Sequence, residues 1–169
     1  MAESGSLIGL AQISVALAGF TSIVAAMGNR HKGEWREIDL FRFDNLLQTS
    51  LMGVVLGVCP VVFFNIGIDQ NATWRLTATV AAAYFIVGTL YGVKRFRALP
   101  KAQHHEISLV VSGIVLVATV GLVAITTLNA FGFFYSGDPG PVFLAIGWLI
   151  VFASYQFTQL LHIMRPKSN

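Results

Sequence analysis

Five stretches of the chain, residues 6–27, 46–66, 76–93, 107–130 and 142–163, contain no Asp, Glu, Lys or Arg. An α-helix needs roughly 17–25 predominantly apolar residues to cross about 30 Å of hydrocarbon. All five stretches qualify on length, the run 76–93 being the shortest. An open strand would leave backbone N–H and C=O groups unpaired in lipid, so each run is predicted to be helical. The pattern predicts an all-α integral membrane protein: a polytopic bundle of about five transmembrane helices, forming one transmembrane domain over residues 1–169. No basic segment precedes the first run, and it is longer than the roughly 7–15 residues of a signal-peptide core, so it is read as a span.

The connections carry weaker patterns. The stretch 34–45 mixes Trp35, Ile38 and Phe41 at helical spacing with Arg36, Asp39 and Arg42. Asp39 and Arg42, three apart, are placed to pair on one helical face. This predicts a short amphipathic helix at the headgroups, with Asp44 or Asn45 capping the second span. Trp74 and the cluster Phe131, Phe133, Phe134 and Tyr135 read as interfacial aromatic anchors. Pro141 sits where the fifth helix can begin, because its missing N–H costs little in the first turn.

Within the runs, small and hydroxyl residues recur at heptad spacing. Span one has Ala11, Ser14, Ala18, Thr21, Ala25 and Gly28; span three has Thr77, Ala81, Tyr84, Gly88 and Tyr91. Span four has Ser108, Ser112, Thr119, Thr126 and Asn129. In lipid, such residues permit close approach and bond across helices. Span two carries Gly53-x-x-x-Gly57 followed by Pro60, a candidate packing face with a kink or hinge. Span five places Tyr155, Gln159 and His162 on one face near its end.

Composition agrees with this picture. Apolar residues make up 55% of the chain and charged residues 11%, against about 25% in an ordinary soluble domain. That excludes a disordered chain and a basic nucleic-acid-binding domain. The basic residues then orient the spans. Ten of the eleven, among them Arg30, Arg36, Arg42, Lys94, Arg95, Arg97 and Lys101, fall on one side of the predicted topology, and only Arg75 on the other. The expectation is a multi-pass protein of the cell (inner) membrane, N-terminus outside and C-terminus cytoplasmic.

The candidate chemistry is sparse. No charged residue lies at mid-membrane, which weighs against proton-coupled transport and voltage sensing. The histidines His31, His104, His105 and His162 lack the facing arrangement that holds haem and the spacing that holds zinc. No nucleophile–base pair, metalloprotease motif or phosphate-binding glycine loop occurs. No catalytic, metal or cofactor site is therefore expected.

Two functions remain. The preferred one is a homo-oligomeric, channel-like passive pore. Its candidate pore or helix-interface residues are Ser14, Thr21, Ser112, Thr119, Thr126, Tyr155, Gln159 and His162, and its candidate hinge is Gly53, Gly57 and Pro60. The alternative is a non-conducting accessory or scaffold subunit. It would meet a protein partner through residues 34–45, or anionic headgroups through Trp35, Arg36, Arg42, Lys94, Arg95 and Arg97. A solute carrier is disfavoured by the odd span count and the lack of an inverted repeat.

Overall fold

A computed structural model describes residues 2–31, 36–100, 103, 108–133 and 137–164. Among them are five helices and no strand: α1 (Ala2–His31), α2 (Glu37–Asn65), α3 (Gln70–Ala98), α4 (Leu109–Phe131) and α5 (Gly140–Met164). All five are long and apolar enough to cross a membrane. Short connections reverse the chain each time. One end of the bundle therefore carries Arg36, Lys94, Arg95 and Arg97, and is called the basic end below; the other carries Asp69, Arg75 and Asp138.

Two expectations require correction. Asp44 and Asn45 cap nothing, because α2 runs unbroken from Glu37 to Asn65 and the amphipathic residues form its first turns. The charges there pair within the helix and across to α3, so nothing forces a break. At 1.5 Å per residue these 29 residues span about 43 Å, more than the hydrocarbon core, so the charged turns extend beyond it. Trp74 is not an interfacial anchor: it is 0% exposed, at the centre of the core, with its ring edge-on to Phe64 at 5.9 Å. The short run 76–93 proves to be the middle of a 29-residue helix.

Local chemistry explains where the helices stop. Gly67, at φ 87°, takes the left-handed conformation open to glycine and ends α2. Its N–H bonds Phe64 O at 3.1 Å and that of Ile68 bonds Phe63 O at 3.1 Å, a Schellman closure. The Asp69 carboxylate then accepts from the Ala72 N–H at 3.1 Å and starts α3. Gly132, at φ 76°, ends α4 in a similar way, and Arg75 Nε reaches Ala130 O at 3.0 Å across that end. Pro141 does lie in the first turn of α5. Gln103 Oε1 accepts from the Ile38 N–H at 3.0 Å, so the α3–α4 connection supplies the partner that Arg36, at the N-cap of α2, does not.

Helices α2 and α5 form the centre. α5 touches all four other helices, whereas α4 is held only by α3 and α5. The main core joins Leu56, Trp74, Phe85, Leu122, Ile146 and Leu149 in the half away from the basic end. In the basic half, a second cluster of Leu46, Ala153 and Leu160 knits α2 to α5, with Leu17 of α1 against it. The outer face of α4 is apolar, with Val110, Ile114, Val117 and Val120 all exposed, a surface suited to lipid.

The predicted small-residue seam of α1 is real. Ala11, Ser14 and Thr21 are buried, and Gly53 and Gly57 of α2 lie against them. A Cβ on Gly57 would sit 2.8 Å from Ala11 Cβ and 3.1 Å from the backbone oxygen of Leu7, neither of which can rotate away. A Cβ on Gly53 would meet chiefly the hydroxyl of Ser14, which can. Pro60 is buried inside the same helix, which continues through it to Asn65. Gly57→Ala is expected to destabilise the bundle by about 1–3 kcal/mol in thermal unfolding in detergent, and Gly53→Ala by less. Gly121→Ala, where nothing lies within 4 Å, is expected to be neutral or mildly stabilising.

Candidate functional site

In the basic half, α4 stands off from α2, and the space enclosed by α2, α3, α4 and α5 is a cavity of about 430 Å³. One wall is polar. α2 contributes Arg42, Asn45, Gln48 and Thr49, and α5 contributes Gln156 beside them. The facing wall is apolar and aromatic, with Val93 and Phe96 of α3, Val111 and Val115 of α4 and Phe152 of α5. The floor, nearest the main core, holds Tyr84, Phe85, Trp148 and Leu149.

The candidate pore residues fall into three groups. Ser112, Thr119 and Tyr155 line this cavity. Ser14 and Thr21 do not; they are buried on the seam of α1. Thr126 is buried in the half of α4 beyond the cavity, while Gln159 is half-buried and His162 exposed, neither of them in the lining. Most of the hydroxyls are satisfied within their own helices. Ser14 donates to Leu10 O at 3.1 Å, Thr21 to Leu17 O at 2.7 Å, Thr119 to Val115 O at 2.7 Å and Thr126 to Leu122 O at 2.6 Å. Such back-bonding to the preceding turn lets a hydroxyl sit in an apolar helix without a partner helix.

The lining also contains groups that do not satisfy themselves. Asn45, Gln48, Tyr84, Ser112 and Gln156 make no side-chain hydrogen bond to a described residue. Gln156 is only 7% exposed and lines the cavity.

Electrostatics concentrate at the same end. Arg42, whose side chain is 10% exposed, has Nη1 3.7 Å from Asp39 Oδ1. Arg36 holds the same carboxylate more closely, through Nε at 3.0 Å and Nη2 at 3.3 Å. Two guanidinium groups thus share one carboxylate. Arg95 pairs with Asp44 and ties α3 to α2. Lys94 and Arg97 are exposed at that end. Trp35, Lys101, His104, His105, Phe134 and Tyr135 lie outside the described residues.

Arg42 was expected at the headgroups, and it turns into the bundle instead. The signal was present: Arg42, Asn45 and Thr49 are spaced 3 and 4 apart, a helical polar stripe running into the second span. Gln156 had no comparable signal, being one of several polar residues in the second half of α5. No family model, curated protein or solved structure matches the chain.

Asp39 is the shared partner of two cations and only 8% exposed. Asp39→Asn is therefore expected to destabilise the protein by about 1–3 kcal/mol, because it removes the charge of a nearly buried carboxylate that both guanidinium groups contact. Asp44→Asn, at a pair whose side chains are 36% and 27% exposed, should cost only about 0–1 kcal/mol. Unfolding of both variants in the same detergent checks the contrast.

Proposed function

We propose that this chain is a non-conducting subunit of a cell membrane, with its basic end in the cytoplasm, its N-terminus outside, and a role as an accessory or scaffold component. The observation that carries the reading is the closure of the bundle beyond the cavity. Trp74, Leu122, Val142, Ile146 and Leu149 are all less than 9% exposed and fill the half away from the basic end. A polar solute entering from the basic end meets that apolar plug after half a membrane thickness. The hydroxyls of Ser14, Thr21 and Thr126, which a pore would use, are buried and bonded to the preceding turn. The outer face of α4 offers a neighbouring copy only apolar side chains, so an axis lined by this helix would carry no polar ring.

The exposed cations Lys94 and Arg97 support a cytoplasmic basic end, since each attracts anionic headgroups or an acidic partner by about 1 kcal/mol. One observation favours the pore as the second reading: Ser112 and Thr119 line the cavity together. Conduction would then require the plug to part, with movement about Gly57 and Pro60 as the candidate.

Planar bilayers separate the two. The purified protein is expected to give no discrete current across a range of ions, voltages and pH, and Thr119→Leu should leave that silence unchanged. Discrete currents reduced by Thr119→Leu would establish the pore instead. A fluorescent protein fused to the C-terminus is expected to fold and fluoresce in cells, as a cytoplasmic tail requires.

A further inference from the structure

We propose that the face of α1 turned away from the bundle is a homodimer interface, in which Gln12 pairs with Gln12 of a second copy across a twofold axis along the membrane normal. Such pairing leaves the cavity and the apolar plug of each copy untouched, so it holds whether or not the chain conducts.

The amide of Gln12 carries the assignment. α1 packs on α2 and α5 and buries Leu7, Ala11, Ser14 and Thr21. At 100° per residue, its opposite face carries Gly5, Gly9, Gln12, Ala16, Gly19 and Ile23. Gln12 is exposed there and makes no side-chain hydrogen bond to a described residue. The span runs from Gly5 to Ile23, so Gln12 lies within about 3 Å of its midpoint along the axis. At that depth the surroundings are acyl chains, which offer an amide neither donor nor acceptor. The side chain is far too short to reach the headgroups. Exposed in one copy, it is still cut off from water, and another protein surface is what can satisfy it.

The shape around Gln12 fits a second helix. A Cβ on Gly5, Gly9 or Gly19 would meet nothing within 4 Å, so no helix of the same chain uses the room these glycines leave. Ile8 and Val15 stand exposed along one side of the strip, and Ile13 and Phe20 along the other. Small residues between two ridges of large ones form a groove open to the bilayer. Glycine weakens a helix, and alanine or leucine would face lipid at least as well. Close approach of another helix is what glycine provides in a membrane span. Gly113 of α4 is equally open, but it lies among Val110, Ile114 and Val117, which lipid satisfies.

Symmetry and the amide identify the occupant. Every copy crosses the bilayer in the same direction, so two copies of α1 meet in parallel and each residue of the strip faces its own counterpart. A primary amide is both donor and acceptor, so two Gln12 side chains satisfy each other. Gly5, Gln12 and Gly19 repeat every seven residues, as do Gly9, Ala16 and Ile23. That is the repeat of a left-handed pair crossing at about 20°.

Sedimentation equilibrium of the full-length protein in density-matched nonionic detergent tests the pairing. A mass of two chains is expected. Gln12→Leu should raise the dissociation constant about three- to thirtyfold, with the helical content unchanged by circular dichroism. Gln12→Asn, which keeps an amide, should raise it less. Gly9→Leu fills the groove and should leave monomer, whereas Gly113→Leu, the same change at an open glycine of α4, should have no effect. Cross-linking in phosphatidylcholine vesicles locates the axis. In a Cys59→Ala background, which removes the chain's one cysteine, oxidation should link Ala16→Cys into a dimer and leave Val117→Cys unlinked. That pattern upholds the face even where detergent separates the chains.

Monomer at every concentration, together with no cross-link at Ala16→Cys, would overturn the dimer. A dissociation constant unmoved by Gln12→Leu would overturn the role of the amide. Sensitivity to Gly113→Leu with none to Gly9→Leu, or a cross-link at Val117→Cys alone, would move the contact to α4 and overturn the α1 face. A mass above two chains would overturn the twofold pairing.

Discussion

The bundle depends on one close approach. In lipid there is little hydrophobic drive between helices, so they associate where their surfaces fit and their backbones come near. α1 reaches α2 at Gly57, where Ala11 and the Leu7 carbonyl occupy the space that a side chain would take. That contact commits the face of α2 bearing Ser50, Gly53 and Gly57 to α1. The adjacent face, bearing Arg42, Asn45 and Thr49, is then turned toward α3, α4 and α5. α4 touches neither α1 nor α2 appreciably, so nothing of its own reaches across to cover that polar face. The cavity is the space that results.

The half of the bundle that lacks this face is filled differently. Trp74 packs there among Leu56, Ala78 and Ile146. Two halves built from the same five helices therefore differ in kind. One is a close-packed apolar plug, the other a cavity with a charged mouth. Any functional account has to respect that asymmetry, because passage across the membrane and occupancy from one leaflet make opposite demands on the plug.

Much of the fold was legible in the sequence because its determinants are local. The uncharged runs gave the helices, and the heptad of small residues in span one gave the seam that buries Ala11, Ser14 and Thr21. The errors arose where tertiary contacts decide. Asp44 and Asn45 resembled a helix start, yet Asp44 is taken up by Arg95 of α3, and α2 continues through it. Trp74 resembled an interfacial ring by its place near a span end, yet it is fully buried against Phe64 and the start of α5. The cavity was the least legible feature. It exists because α4 packs chiefly on α3 and α5 and little on α2, and no periodicity in either helix records that.

Polar residues inside the spans divide by what they can do alone. Many serines and threonines in these helices donate a hydrogen bond to the carbonyl one turn back, as Thr77 does to Thr73 O at 2.9 Å and Thr119 to Val115 O at 2.7 Å. Their presence in a membrane helix therefore costs little and says little about a pore. Gln156 of α5 makes no such bond and lines the cavity instead. The hydroxyl stripe of α4 drew attention in the sequence because it is regular, and regularity is what helix packing produces. The amides of α2 and α5 share no helix and form no stripe, and only the fold brings them onto one wall.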